Sequence, residues 1–157
     1  MDKKIILVRC DKEYRTAGCS KFAKTARDIR KMFPQISGEN TVLFCSPRDS
    51  GHDAAKALGE FLRLTPVEKW ELYGLHAGSE RQKSGETELS DRGTKDMKDL
   101  FDETDKEFII AVTHQFQVNF FFRKAMGGRD FSVERGQGVW SDGRQCGIIS
   151  PLLPVTE

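Results

Sequence analysis

The chain carries two apolar runs that each stop abruptly at chemically able residues. Ile5-Ile6-Leu7-Val8 ends at Arg9-Cys10, and Ile109-Ile110-Ala111-Val112 ends at Thr113-His114. An unbroken run of branched apolar residues reads as a strand buried on both faces, the situation of strands in a parallel sheet. Open sheets of this kind hold ligands beyond the carboxyl ends of their strands. The two runs therefore predict one pocket with Arg9, Cys10 and His114 on its floor. The 157 residues amount to one domain of ordinary size, spanning 1–157, with room for a substantial core.

Between the runs the periodicity alternates. Phe22, Ala26, Ile29 and Phe33 recur at helical spacing until Pro34, which predicts an amphipathic helix of about four turns. Thr41-Val42-Leu43-Phe44-Cys45 reads as a second buried strand, closed by Ser46-Pro47. A second helix follows, capped by Asp49 or Ser50, with Ala54, Ala55, Leu58, Phe61 and Leu62 as its inner face. Pro66 leads into Trp70-Glu71-Leu72-Tyr73, read as a third strand. Residues 76–88 are polar and non-periodic, the segment expected to be most mobile. Ser90 can cap a third helix with Met97, Leu100 and Phe101 inward, before a strand over 107–113. His114 opens a helix with Val118, Phe121, Phe122 and Ala125, stopped by Gly127-Gly128. The tail, from Phe131-Ser132-Val133 to Ile148-Ile149, alternates as a hairpin around Ser141-Asp142-Gly143. Strands alternating with helices predict a three-layer α/β/α sandwich, its sheet mainly parallel with an antiparallel edge from the C-terminal tail.

Composition removes several classes of function. Twenty-five basic against 24 acidic residues give a formal charge of +1, so neither nucleic acid nor a membrane is expected as a partner, and any anion recognition must be local. The apolar stretch after Met1-Asp2-Lys3-Lys4 is too short for a signal-peptide core. No run approaches the roughly 18 residues of a membrane span, so a cytoplasmic protein is the expectation. Cys10, Cys19, Cys45 and Cys146 form no C-x-x-C pair, which signals neither a metal site nor a redox dithiol, and no cofactor. Cys19 and Cys45 read as small apolar core residues.

Three motifs in order, Leu7-Val8-Arg9-Cys10-Asp11, then Ser46-Pro47-Arg48-Asp49-Ser50-Gly51-His52-Asp53-Ala54-Ala55, then Val112-Thr113-His114, give the chain a family likeness. It resembles the histidine phosphatase superfamily, also called phosphoglycerate mutase-like, over nearly its whole length. Its size and the Thr16-Ala17-Gly18 approach to the first long helix are most similar to the small phosphohistidine phosphatase branch. The resemblance implies a phosphoryl site in which a histidine attacks phosphorus, while arginines and a second histidine neutralise the oxygens. Two positions depart from it. Cys10 stands where the nucleophilic histidine is implied, and Ser50 where the second phosphate-binding arginine is implied.

The candidate catalytic residues are accordingly Cys10 and His114, and the candidate phosphate-binding residues are Arg9, His114, Ser50, Arg48 and Arg15. A phosphoryl group requires charge neutralisation and an in-line nucleophile, and little else. Arg9 supplies charge at a strand end, and His114 stands where a helix N-terminus can share an anion with it. A thiolate beside Arg9 is a competent nucleophile. Yet cysteine phosphatases wrap the phosphate in a C-x5-R loop, and Cys10 to Arg15 is C-x4-R. Ser50 offers one hydroxyl in place of a charged bidentate fork. Arg48 and Arg15 are either substitutes for that fork or solvated surface residues, and His52 either faces the pocket or is exposed. The glutamate that many family members place after the third strand as proton donor is missing, since Tyr73-Gly74-Leu75-His76-Ala77-Gly78 carries no carboxylate. That counts against alcohol phosphoesters and is neutral toward phosphohistidine, whose leaving group departs easily.

Three readings compete. The first is a degenerate histidine phosphatase-like protein that binds phosphate, a phosphorylated small molecule or a phosphoprotein, with little catalysis. The second is an active phosphohydrolase using Cys10 or a compensating residue. The third is a protein-interaction domain with an empty pocket. Nothing in the residues identifies an oligomeric state.

Overall fold

The computed structural model describes residues 3–10, 17–46, 49–69, 72, 97–113 and 137–149, with 17–21 and 49–52 described by backbone alone. Its elements run β1 (Lys4–Arg9), α1 (Ala17–Met32), β2 (Thr41–Cys45), α2 (Asp49–Leu62), β3 (Pro66–Glu68), β4 (Phe108–Thr113), β5 (Gly138–Ser141) and β6 (Cys146–Ile149), with a helical stretch over 97–103 before β4. The six strands form one sheet in the order β3-β2-β4-β1-β5-β6. β3, β2, β4 and β1 are mutually parallel, and β5 and β6 add the antiparallel edge. This is the sandwich that the alternation of periods predicts.

The two central strands lie in the middle of that order and are covered on both faces, which explains their unbroken apolar character. Ile6, Val8, Leu43, Phe108, Ile110 and Val112 pack with Phe22, Ala26 and Ile29 of α1 and with Ala54, Ala55, Leu58 and Leu62 of α2. On the other face Leu7, Phe44, Ile109, Ala111 and Val139 pack with Leu72, Met97, Leu100 and Phe101. Each strand thus sends alternate residues to the two helical layers.

α1 and α2 are held together at their carboxyl ends. The Arg30 guanidinium donates to the Ile36 carbonyl at 2.6 Å and to the Leu62 carbonyl at 3.1 Å. α2 itself closes with Arg63 at φ 60° and Leu64 N–H bonded to the Gly59 carbonyl at 3.0 Å, the six-to-one bond of a Schellman motif. Gly59 is required there, because a Cβ would fall 2.3 Å from the Leu64 carbonyl oxygen.

Two expectations need correction. Phe61 is not part of the inner face of α2, being 48% exposed. At 3.6 residues per turn it points about 70° from the centre of the stripe made by Ala54, Ala55, Leu58 and Leu62, and its ring lies 5.9 Å from the Arg27 guanidinium of α1. The third strand of the described residues is Pro66–Glu68; of the expected 70–73 only Leu72 is described, and it is not in a strand. Pro66–Glu68 is an edge strand paired to Leu43, Phe44 and Cys45, a place where a leading proline is tolerated and apolar side chains are not needed. Leu72 lies in a 3₁₀ turn, its N–H bonded to the Lys69 carbonyl at 3.1 Å.

The tail hairpin is as expected. Asp142 accepts the N–H groups of Arg144 and Gln145, each at 2.8 Å, and Gly143 takes φ 93°. The bonds from Gln145 and Arg144 hold the Asp142 carboxyl below its ordinary range. The expected mobile segment 76–88, the Ser90 cap, the helix after His114 and Phe131-Ser132-Val133 lie outside the described residues. Among the described residues no helix is long and apolar enough to cross a membrane.

Candidate functional site

Arg9 ends β1 opposite Thr113, which ends β4, and the ladder runs on beyond both. Cys10 N–H bonds to the Thr113 carbonyl at 2.9 Å, Ser46 N–H to the Val112 carbonyl at 3.0 Å, and Arg9 N–H to the Gln137 carbonyl at 2.9 Å. These bonds hold the candidate motif in the sheet rather than in a free loop.

The register then decides which side chains share a face. Val8 opposes Gly138, so Arg9 opposes Gln137; Cys45 opposes Val112, so Ser46 opposes Thr113. Gln137, Arg9, Thr113 and Ser46 therefore make one transverse row across β5, β1, β4 and β2. Alternation from Leu7, Ala111, Val139 and Phe44 puts that row on the face covered by Leu72 and 97–103. The Thr113 hydroxyl confirms the direction, donating to the Leu72 carbonyl at 2.8 Å. Every member is polar, although the row one step back toward the amino end of β1, Gly138, Val8, Val112 and Cys45, has no charged or amide side chain. Gln137 is 6% exposed, Thr113 and Ser46 are fully buried, and Arg9 is half-buried.

Cys10 alternates to the opposite face. It is 4% exposed and belongs to the cluster of Ile6, Val8, Phe22 and Cys45 between the sheet and α1 and α2. Cys45, read as core from the sequence, is core: burial first, and Glu68 second, push its thiol up to about 11.

Three residues, 46–48, separate the end of β2 from Asp49, where α2 begins. The first turn of α2, with Ser50 and His52, is therefore tied by chain length to the carboxyl edge of the sheet, where the N–H groups that helix geometry leaves without an intrahelical partner begin. His114 is joined directly to Thr113 of the polar row but, like Arg15 and Arg48, lies outside the described residues, as do the side chains of Ser50 and His52. Among the described residues no three His, Cys, Asp or Glu side chains gather into a metal-binding group.

The row contains one residue that sequence reasoning passed over. Ser46 and Thr113 are visible as the first polar residues after buried runs. Gln137, between Gly136 and Gly138, carries no such signal, because only the register of β5 against β1 places it beside Arg9.

No family model matches the chain, and no curated protein sequence matches it. The likeness lies in the three-dimensional structure. Phosphoglycerate mutase from Plasmodium falciparum superposes with a TM-score of 0.66 at 15% identity, covering 100% of this chain and 97% of that one. The protein histidine phosphatase SixA, solved with tungstate, superposes with a TM-score of 0.63 at 12% identity, covering 92% and 93%. Phosphoserine phosphatase from Entamoeba histolytica, solved with 3-phosphoglyceric acid, gives 0.63 at 13% identity, covering 88% and 89%. Sheet order, layers and these superpositions define an α/β sandwich. The fold is that of the histidine phosphatase superfamily, the phosphoglycerate mutase-like fold.

Proposed function

We propose that the protein is a degenerate histidine phosphatase-like module that binds a phosphoryl group through Arg9 and carries out little catalysis. The observation that supports this most directly is the surroundings of Cys10. A thiol 4% exposed that belongs to the same buried apolar cluster as Ile6, Val8, Phe22 and Cys45 is placed as a small hydrophobe is, whereas nucleophilic cysteines are partly exposed in electropositive surroundings. The polar row at the end of the sheet supports the binding half of the reading, since Arg9 is its one charged member and a guanidinium suits planar recognition of phosphoryl oxygens. A histidine-to-alanine variant of the Entamoeba histolytica phosphoserine phosphatase is complexed with phosphoserine, so removal of a histidine is compatible with holding a phosphomonoester on this fold.

In this reading Arg9, with His114 and the first turn of α2 around Ser50, neutralises the phosphoryl oxygens. Arg48 or Arg15 supplies any second cationic fork. Cys10 takes no part in group transfer. The ligand is a phosphorylated small molecule or a phosphoprotein, and the site of action is the cytoplasm.

Hydrolysis of an aryl phosphate between pH 4 and 9, paired with calorimetric titration of inorganic phosphate, tests the proposal. Phosphate binding that is lost in Arg9→Ala, together with negligible turnover, is the expected result. Turnover in the ordinary enzyme range of roughly 1 to 1000 per second that vanishes in Cys10→Ala would establish a cysteine phosphohydrolase instead. No phosphate binding and no turnover would leave an interaction domain.

A further inference from the structure

We propose that the β6 edge of the sheet is a self-association surface, at which two copies of the chain pair strand to strand about a two-fold axis through Gly147. The sheet ends at β6, which among the described residues pairs with β5 alone. Two observations fix which of its backbone groups face outward. The Arg9 N–H to Gln137 carbonyl bond of 2.9 Å makes those residues a bonded pair, so by alternation Val139 and Ser141 bond to β1, while Gly138 and Trp140 bond to β6. The Asp142 N–H to Gln145 carbonyl bond of 3.2 Å gives the same answer from the turn. Gly147 and Ile149 therefore take the bonds to β5, and the N–H and C=O groups of Cys146 and Ile148 point out of the sheet.

Those outward groups are self-complementary. With Gly147 opposite Gly147 of a second copy, Cys146 meets Ile148 of that copy and Ile148 meets its Cys146, each as a bonded antiparallel pair. Every outward group of the two strands then finds a partner, and the residue on the axis has no side chain to hold the backbones apart. The sequence Cys146-Gly147-Ile148-Ile149 has no charge to repel its own copy and no proline, and Ile148 is 42% exposed. The opposite edge is blunted by the devices that keep edges apart. β3 has three residues, begins at Pro66 and carries Glu68, with Lys69 next in the chain. Its Val67 is as exposed as Ile148, at 42%, so proline and charge separate the two edges, and exposure does not. A pairing of so few residues buries little area, which makes the association weak and reversible.

The test is analytical ultracentrifugation of the full chain up to about 1 mM, where the parent is expected to show a monomer–dimer equilibrium that stops at two. Ile148→Pro removes an outward N–H and leaves the bonds to β5 in place, and Ile148→Lys sets a charge at the edge. Each is expected to weaken the dimer at least about tenfold, the loss of a hydrogen bond or two, whereas Val67→Lys on the other edge leaves it unchanged. Ile148→Cys puts a thiol opposite Cys146 of the second copy, with Cα atoms about 5.5 Å apart, within reach of a disulfide. Oxidation with copper–phenanthroline is expected to join that variant into a covalent dimer through positions 146 and 148. The parent should not cross-link, because its two Cys146 residues stand diagonally, more than about 7 Å apart. A parent that stays monomeric overturns the proposal and leaves the edge to an extended segment of another protein. Growth beyond two copies, a dimer indifferent to the Ile148 variants, a dimer lost in Val67→Lys, or a bridge between other positions also overturns it. Should Ile148→Pro fail to fold, Ile148→Lys and the cross-link decide.

Discussion

Arg9 and Cys10 are consecutive in the chain, yet the alternation of β1 sends them to opposite faces of the sheet. Arg9 joins the polar row with Gln137 and Thr113, while Cys10 lies in the apolar cluster against α1. One residue therefore belongs to a polar row and the other to apolar packing.

From this follows a difference in reactivity. Cys10 should resist alkylation in the native protein at neutral pH and react once the chain is unfolded, because a thiol 4% exposed is sterically closed to reagents as well as held in apolar surroundings. Mass spectrometry after a timed iodoacetamide pulse, with and without denaturant, reads this out. Modification of native Cys10 as fast as of a free thiol would refute its packing role. Cys10→Ala should leave phosphate binding intact and destabilise the fold by about 1 kcal/mol, as small core truncations do.

Cys45 makes stability depend on pH at the alkaline end. Its thiol is raised from an ordinary value of 9.0 to about 11 by burial and by Glu68. Between those values the unfolded chain has lost the proton and the folded chain has kept it, so stability falls as pH rises. The contribution is constant below pH 9 and is lost progressively up to about 11, amounting to something on the order of 2 kcal/mol. The measurement is the difference in denaturation free energy between the parent and Cys45→Ala from pH 8 to 11. That difference should shrink with rising pH, and a flat difference would contradict the assignment.

How much of this was legible in the residues follows from burial. β1, β2 and β4 have apolar interiors because both of their faces are covered, and a run such as Phe108–Thr113, buried at every residue, announces itself. β3 is an edge strand of three residues with exposed side chains, so no apolar signal marks it, and the apolar Leu72 nearby serves a 3₁₀ turn instead. Phe61 fits the helical stripe by spacing but sits at its rim, where a large ring reaches Arg27 rather than the sheet. The candidate site was legible at Arg9 and Cys10 because they end a buried run. Gln137 was hidden because its place depends on a pairing between strands more than a hundred residues apart in the chain.

Two substitutions at the end of α2 should move stability in opposite directions. Gly59→Ala places a Cβ 2.3 Å from the Leu64 carbonyl, a backbone atom that cannot rotate away. A loss of about 2 to 4 kcal/mol is expected, in the range of severe core disruption. Arg63→Gly relieves a non-glycine residue at φ 60°, for a gain of about 0.5 to 1 kcal/mol after the larger chain entropy of glycine is set against it. Denaturant midpoints of the two variants check both, and a Gly59→Ala protein as stable as the parent would show that the helix end can shift.

The final prediction concerns restoration of catalysis. Cys10→His supplies the missing imidazole, but position 10 is 4% exposed and part of the buried apolar cluster that includes Ile6, Val8 and Phe22, and a larger polar ring there must either disrupt that cluster or turn out of it. Overpacking of this kind costs about 1 to 3 kcal/mol. The phosphoryl group would also lack the second charged fork, since Ser50 provides only a hydroxyl, and in-line attack depends on that positioning. Cys10→His alone is therefore expected to melt lower and to hydrolyse aryl phosphate no faster than the parent. Cys10→His with Ser50→Arg should exceed both single variants by more than their combined effects, as residues acting in one unit do, and should yield a phosphohistidine at position 10 that can be trapped by acid-free mass spectrometry. Full activity from Cys10→His alone would show that the site is otherwise complete, with Arg15 or Arg48 providing the charge that Ser50 lacks.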